Sequence, residues 1–285
     1  MLGQVREQLQ NLPRPGLLVA PHVSSVMAKQ CRAMDLQFID AAGNAYLKAP
    51  GLYVFITGEK PKAEAGFVRA GRGTANPAAM RMIFALLCQR DLVNAPYRDI
   101  VKNAQIALGT VGPVFLDLEK RGLLARPEKG RKREFLDFPR LLDEWVANFP
   151  VILRPKLHAR RFRAPNPDWW MKCNLQGSGA LWGGEVAADQ MTNYLKPATQ
   201  TLYIKPETMT RNLQHMIKAY RLQPDPYGPI EILSTFWSVS ETEEKHAMAP
   251  AVLAYADLMA TLDPRNIEVA AILREKHIEH ADAQT

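Results

Sequence analysis

The 285-residue chain has few cysteines and no grouped metal ligands. Cys31, Cys88 and Cys173 stand alone, without a Cys-x-x-Cys pair or a neighbouring histidine, and structural zinc sites need such groups. The six histidines are scattered without metal-ligand spacing. The sequence therefore predicts no metal and no cofactor, and the isolated thiols indicate a reducing compartment.

Long apolar runs are also missing. No run approaches the ~20 residues that a membrane span needs, and the first residues do not have the layout of a signal peptide. We therefore expect a cytoplasmic protein that does not contact membranes. No Ser/His/Asp order, phosphate-binding glycine loop or paired-carboxylate motif stands out. These absences predict that the chain is not an enzyme and that it has no catalytic residues.

Residues 77–122 predict three helices in succession. Asn76 with Pro77, and Asn94 with Pro96, are typical helix starts. Apolar residues follow each start at helical spacing. A third run ends at the sequence Lys-Arg-Gly at 120–122, which is typical of a helix end. Pro113 would break a helix interior, so the third helix should begin near Gly109 or Thr110.

A basic hairpin is predicted directly after these helices. Residues 123–125 and 134–136 indicate two short strands, and Pro127 and Gly130 indicate the turn between them. From Lys120 to Arg133 there are seven basic residues against the single acid Glu128, so this segment holds most of the chain's net charge of +7. Alone, such a run would suit a solvated turn. After three helices in this order it predicts a winged helix-turn-helix that binds double-stranded DNA.

The candidate DNA contacts follow from this interpretation. Residues near the start of the third helix should face base edges, and the basic residues should contact phosphates. The base-edge candidates are Gln105, Thr110, Val111 and Gly112. The phosphate candidates are Lys120, Arg121, Arg126, Lys129, Arg131, Lys132 and Arg133.

Residues 1–70 predict a small α/β unit, with a first helix over 5–12, a second over 24–34 and four strands between 16 and 57. Asp40 at a strand end and Lys48 at the end of the next strand resemble part of a restriction-nuclease core. Asn44 and Tyr46 stand where a second acid would be needed, and one carboxylate would hold magnesium poorly. A degenerate nuclease-like scaffold or an unrelated α/β unit is favoured over an active nuclease. Residues 58–76 predict a linker.

Residues 150–285 predict an α/β or α+β domain with a small sheet, including a strand over 151–157 and a helix over 167–175. Its polar clusters suit helix starts and packing, but they could also line a functional site. The candidate cluster comprises Trp182, Glu185, Tyr255, Asp257, Asp263, Arg265, Asn266 and Glu268. A second basic run between Arg154 and Arg163 extends the DNA footprint, meets an acidic partner or is simply solvated.

Four stretches resemble the bacterial AbiEi-like antitoxins, which are transcriptional regulators of type IV toxin–antitoxin (abortive infection) systems. They are FIDAAGNAYLKAPGLYVFITG (38–58), FALLCQRDLVNAPYRDIVKNAQIALGTVGPVFLDLEKRGLL (84–124), LWGGEVAA (181–188) and YADLMATLDPRNIEVA (255–270). The resemblance implies an autorepressor acting on its own promoter. It also implies a nucleotidyltransferase-like toxin as functional partner, opposed through the C-terminal region without a stable complex. The N-terminal α/β unit and Pro113 depart from the family pattern, and either could change how DNA is read.

Together these observations predict a multi-domain α+β protein that regulates transcription by binding DNA. The predicted domains are an α/β unit at 1–70, a winged helix-turn-helix at 74–149 and an antitoxin-like α+β domain at 150–285. Two alternatives stay open. One is a metal-dependent nuclease or other nucleic-acid enzyme, and the other is a protein-interaction module that binds a toxin directly.

Overall fold

The computed structural model describes residues 16–20, 22–59, 76–126 and 132–279. The predicted first helix at 5–12, most of the predicted linker and the tip of the predicted hairpin at 127–131 lie outside these ranges. The chain divides into two compact units, Met1–Val68 and Arg69–Thr285. The described residues form ten α-helices and two sheets, which confirms the mixed α+β class.

The first unit is a four-stranded sheet in the order β1-β2-β3-β4 with one helix. The strands are Leu18–Ala20 (β1), Phe38–Asp40 (β2), Ala45–Ala49 (β3) and Leu52–Ile56 (β4), and the helix is Ser25–Ala33 (α1). β1 pairs in parallel with β2, and the other neighbours are antiparallel. Ser24 caps α1 by accepting a hydrogen bond from the Met27 N–H. The core of this unit consists of Val23, Ala28, Cys31, Leu36, Phe38 and Tyr46.

The second unit begins with three helices whose order agrees with the sequence. They are Pro77–Cys88 (α2), Tyr97–Ala104 (α3) and Val111–Lys120 (α4). Asn76 caps α2 by accepting from the Ala79 N–H at 2.9 Å, and Pro77 occupies the first turn, where no N–H is required. A short 3-10 turn, Leu108–Thr110, leads into α4. Pro113 is therefore in the first turn of α4, where its missing N–H breaks no helical hydrogen bond.

The segment after α4 is a minimal antiparallel hairpin rather than two strands. One bridge joins Leu124 to Phe135. Two backbone hydrogen bonds flank it, from Ala125 N to Glu134 O at 2.9 Å and from Leu136 N to Leu123 O at 3.0 Å. Helix α5 follows at Phe138–Asn148, capped by Asp137.

The rest of the unit holds a five-stranded sheet in the order β6-β7-β9-β5-β8. Its strands are Arg160–Arg163 (β5), Ala180–Gly183 (β6), Gln200–Ile204 (β7), Gln223–Pro224 (β8) and Ile230–Ser234 (β9). Its helices are Gly184–Thr192 (α6), Met209–Tyr220 (α7), Glu241–His246 (α8), Ala251–Ala260 (α9) and Pro264–Arg274 (α10).

Two predicted elements in this region are wrong. Residues 151–157 form helical turns instead of a strand, with Phe149–Leu153 and Arg154–Lys156 in succession. Pro150 and Pro155 are the second residues of these turns, where a fixed φ suits a helical backbone. Where a helix is predicted at 167–175, the structure has only the 3-10 turn Trp169–Lys172.

One continuous hydrophobic core runs through the second unit, from Ala79 to Ile278. Aromatic rings join its early and late segments. Phe84 stacks on Trp145 at 5.2 Å between ring centroids and also contacts Phe236 and Trp237. Because the buried Trp145 Nε1–H donates to the Met80 carbonyl at 2.8 Å, its polar group is satisfied within the core. Among the helices of the described residues, none is long and apolar enough to cross a membrane.

Candidate nucleic-acid interface and buried ionic cluster

The turn between α3 and α4 is fixed by Gln105. Its backbone adopts a left-handed conformation with φ of 51°, which ends α3. The Gln105 side-chain amide donates to the Trp237 carbonyl at 3.0 Å, and Arg81 donates to the Gln105 carbonyl at 3.5 Å. Gln105 was expected beside base edges. In the structure its side-chain amide instead links this turn to Trp237, in the segment that follows β9.

Helix α4 has a buried face and an exposed face. Val111, Val114, Phe115 and Leu118 are buried in the core. Val111 had been predicted to approach base edges, but its side chain has no exposed surface. Thr110 and Gly112 are half-buried. The side chains on the exposed face come from Pro113, Leu116 and Lys120.

Two of the predicted phosphate contacts are engaged inside the protein. Arg121 pairs with Asp117 at 3.3 Å and with Glu144 on α5, and its side chain is only 11% exposed. The guanidinium of Arg133 lies 4.2 Å from the ring centre of Phe115 and 3.6 Å from Glu119. These arginines hold α4 against α5 and the hairpin against α4.

Other cations on the same segment face solvent. Lys120, Arg126 and Lys132 are exposed, as phosphate contacts must be, whereas Lys129 and Arg131 lie outside the described residues. Arg98 and Lys102 are also exposed, on α3, and we did not select them from the sequence. Arg98 and Lys102 are four residues apart, on either side of the buried Ile100. This spacing puts them on one outward face of α3 and could have indicated both cations from the sequence.

Glu185 organises the first half of a buried polar cluster in the second sheet region. It lies in the first turn of α6 and is 4% exposed. Its carboxylate accepts hydrogen bonds from the Ala198 N–H at 2.6 Å, the Thr199 N–H at 3.2 Å and the Thr199 hydroxyl at 3.0 Å. The Asn266 amide donates at 3.2 Å, and Arg265 lies 3.5 Å away. These contacts bring together three of the eight candidate cluster residues.

Asp257 organises the other half. Its carboxylate accepts from the Tyr203 hydroxyl at 3.0 Å and from the Gly184 N–H at 3.2 Å, and Arg154 Nε is 3.6 Å away. Burial raises the pKa of Asp257 to about 6, against the lowering effect of Arg154. Burial and the Asp257 charge raise the pKa of Tyr203 as well.

Two arginines of the second basic run, residues 154–163, face this buried cluster. Arg154 pairs with the buried Glu231, and Arg161 contacts the same carboxylate at 3.1 Å. Arg154, Arg161, Glu185, Glu231 and Asp257 all line a small cavity of about 130 Å³. The sequence did not identify Glu231, because a lone acid in the apolar strand β9 has no distinguishing spacing.

The remaining four candidate residues serve separate local roles. Trp182 packs against Trp169, with ring centroids 5.8 Å apart, and Tyr255 accepts a hydrogen bond from Arg274 at 3.3 Å. Asp263 caps α10 by accepting from the Arg265 N–H at 2.9 Å. Glu268 is exposed and accepts from the Tyr194 hydroxyl at 3.2 Å.

The nuclease-like pair of the first unit is not assembled. Asp40 accepts hydrogen bonds from the backbone N–H groups of Val23 and Ala42 at 2.7 and 2.9 Å, and from the Asn44 side chain at 2.7 Å. Although burial acts to raise the pKa of Asp40, these hydrogen bonds hold it below its ordinary value. Lys48 pairs with Asp35 at 3.4 Å instead.

Strand register explains this separation. Because Phe38 faces Tyr46 across the antiparallel pair, Asp40 is opposite residue 44. Lys48 is four residues further along β3, roughly 13 Å away at the rise of a strand. No group of three or more His, Cys, Asp or Glu side chains within the described ranges is placed to hold a metal ion.

Comparison with known protein families places the later part of the second unit in a family. Residues 135–279 match the family model described as transcriptional regulator, AbiEi antitoxin, type IV toxin–antitoxin system. The matched range begins in the hairpin after α4 and covers the buried ionic cluster. Neither the curated proteins nor the solved structures include a significant match to this chain.

Proposed function

Because the chain belongs to the AbiEi antitoxin family of transcriptional regulators in type IV toxin–antitoxin systems, we propose that it binds its own promoter and represses transcription. In this proposal α2, α3, α4 and the hairpin after α4 form a winged helix-turn-helix. The family match begins at residue 135, so the argument for this DNA-binding segment comes from its geometry.

The order of the elements carries the proposal. Two helices of eight and ten residues, α3 and α4, are joined by a short turn and preceded by the longer α2. A hairpin follows at once, closed by the bridge between Leu124 and Phe135. In proteins of this type the second helix of the pair enters the major groove and the first crosses the backbone.

The exposed cations support the same orientation. Lys120 ends α4, Arg126 and Lys132 belong to the two arms of the hairpin, and Arg98 and Lys102 project from α3. Arginine and lysine side chains on both sides of a groove-reading helix contact the phosphates of the two strands. Arg121 and Arg133 position the helix and the hairpin in this proposal and do not contact DNA.

The division of labour along the chain is also a proposal. We assign DNA binding to residues 74–149 and opposition to a nucleotidyltransferase-like toxin to residues 150–285. To residues 1–70, which the sequence predicts to be an α/β unit, we assign no chemistry. The continuous core between the two later segments supports signal transfer between them, since packed cores transmit small displacements.

Charge reversal tests the DNA-binding surface. A variant with Lys120→Glu, Arg126→Glu and Lys132→Glu should bind every duplex more weakly. Because each lost phosphate contact lowers the salt dependence by about 0.9, the slope of log K against log salt should fall by about 2.7. The readout is fluorescence anisotropy of a labelled duplex from the region upstream of the gene.

The matched control reverses three exposed lysines elsewhere in the second unit. Lys172→Glu, Lys218→Glu and Lys276→Glu change the net charge by the same amount. This control should keep more of the affinity and more of the salt slope. Equal losses in both variants would show that only net charge matters, and the proposed interface would then be wrong.

A further inference from the structure

The exposed face of α4 has an unusual composition for a helix that reads DNA. We call the residues Gly112, Pro113, Leu116 and Lys120 the outer face of α4. Leu116 is 47% exposed, and Leu108 in the preceding turn is 54% exposed. Apart from Lys120 at its end, this outer face has no side chain that can form a hydrogen bond with a base.

The polar side chains of α4 beside this face are engaged elsewhere. Asp117 pairs with Arg121 at 3.3 Å, and Glu119 lies 3.6 Å from Arg133. Gln105, in the turn before α4, donates its amide to Trp237. Since bidentate recognition of adenine or guanine needs amide or guanidinium groups, the outer face cannot read bases in that way.

Glycine at position 112 is not required by the fold. A Cβ atom there would meet no atom within 4 Å, and its φ is not in the left-handed region. Glycine inside a helix lowers stability relative to alanine. A smooth surface at this position, next to the exposed Pro113 and Leu116, allows α4 to approach another molecule closely.

The exposed cations on α3, α4 and the hairpin favour a polyanion as that molecule. Exposed cations lie on α3 (Arg98 and Lys102), at the end of α4 (Lys120) and on the two arms of the hairpin (Arg126 and Lys132). Lys132 precedes Arg133, whose guanidinium packs on Phe115 of α4, so the backbone that carries Lys132 lies close to this helix. A surface with an apolar centre and a cationic rim matches a DNA groove, in which apolar thymine methyl groups lie between rows of phosphates.

We propose that the outer face of α4 recognises the C5-methyl groups of thymine in the major groove, through Leu116 and Pro113, rather than hydrogen-bonding groups of the bases. This inference rests on the proposed DNA-binding function and specifies what that site reads. Apolar contact with the thymine methyl is an established means of direct readout. The preferred duplex therefore has thymines at the positions that face α4.

Deoxyuridine substitution tests this directly, because uracil lacks only the methyl group. Thymines in the upstream duplex are replaced one at a time, and binding of the full-length protein is measured by anisotropy. Because burying one methyl-sized group is worth ~0.8 kcal/mol, each contacted methyl should contribute about fourfold in affinity. Positions that α4 does not contact should show no change.

Variants of the outer face assign the effect to α4. Leu116→Ala should abolish the difference between thymine and uracil duplexes at the affected positions. Gly112→Leu should weaken binding to both duplexes by blocking close approach, while Gly112→Ala should not lower the melting temperature. Ile217→Ala removes a similarly exposed apolar side chain from α7 and should leave the thymine preference intact.

The outcomes separate this inference from the proposed function. If the protein prefers the native duplex over the scrambled one but binds the thymine and uracil duplexes equally, methyl recognition is wrong. The proposed DNA-binding regulator is then still supported. Equal binding to the native and the scrambled duplex would contradict the proposed function as a sequence-specific regulator. A change in sedimentation of Leu116→Ala, with an unchanged thymine preference, would make the outer face an interface between two copies and would also overturn the inference.

Discussion

The side chain of Asn94 holds both backbone polar groups of Arg133. Asn94 Oδ1 accepts from the Arg133 N–H at 2.8 Å, and Asn94 Nδ2 donates to the Arg133 carbonyl at 2.9 Å. Two residues separated by 39 positions are thus paired as if in a strand ladder. Because Arg133 belongs to the returning arm of the hairpin, this pair fixes the hairpin against the segment that leads into α3.

Replacing Asn94 should therefore affect the hairpin more than the fold. Asn94→Ala removes two hydrogen bonds on a partly exposed surface, and we expect the free energy of unfolding to fall by about 1–2 kcal/mol. The affinity for the upstream duplex should fall further than this loss explains, because the hairpin cations are no longer held in place. Urea unfolding and anisotropy on the same preparation give both values.

A second asparagine serves as the control for this variant. Asn148 donates to the Glu144 carbonyl at 2.7 Å within α5, away from the hairpin. Asn148→Ala should reduce stability by a similar or smaller amount and leave DNA affinity unchanged. Equal DNA affinity in both variants would contradict the positioning role of Asn94.

Glu185 and Glu268 should differ widely in their importance for stability. Glu185→Ala leaves the N–H groups of Ala198 and Thr199 without this acceptor, and the buried Asn266 amide keeps only its hydrogen bond to Thr261. Each buried donor left without an acceptor costs about 1–3 kcal/mol, so we expect Glu185→Ala to lower the free energy of unfolding by about 3 kcal/mol. Glu268→Ala removes one exposed hydrogen bond, and its effect should be within about 0.5 kcal/mol. Similar unfolding midpoints for the two variants in urea would contradict the structural role of Glu185.

Asp257 should make the fold less stable as the pH rises. Its pKa of about 6 in the folded chain exceeds the ordinary value of 3.8. Well below pH 3.8 the carboxyl is protonated in both the folded and the unfolded chain. Between pH 3.8 and about pH 6 the folded chain keeps a proton that the unfolded chain releases. The free energy of unfolding therefore decreases as the pH rises through this range. The total decrease in the free energy of unfolding, complete above pH 6, is about 3 kcal/mol.

An amide at this position should remove that dependence. Asp257→Asn has no proton to release, so the decrease in unfolding free energy between pH 4.5 and 7 should be smaller than in the wild type by most of this amount. Asp168→Asn, at an exposed position, should leave the decrease in place. Denaturant unfolding at several pH values is the measurement. An identical pH profile in wild type and Asp257→Asn would show that Asp257 does not cause it.

Helix positions were predictable because local signals decide them. Asn76 and Pro77 start α2, Ser24 caps α1 and Asp263 caps α10. These signals act over three or four residues, so the sequence alone contains them. The family match confirms the resemblance to AbiEi antitoxins.

Long-range partners were not predictable from spacing. Asn94 was interpreted as a helix-start residue, but its side chain pairs with Arg133. For the arginine-rich run at 154–163 the sequence left DNA contact, an acidic partner and a solvated surface open, whereas Arg154 and Arg161 contact Glu231, which lies 77 and 70 residues later. Only the tertiary fold brings β5 beside β9, and only that pairing reveals which cations remain at the surface.

The central claim is that this chain is a sequence-specific DNA-binding regulator. The most direct measurement is a titration of the full-length protein against a labelled duplex from its own upstream region and a scrambled duplex, at two salt concentrations. We predict tighter binding to the native duplex at both salt concentrations, with a ratio of at least ~10³ between specific and non-specific binding. Equal affinities for the two duplexes, lost together at the higher salt, would contradict the claim.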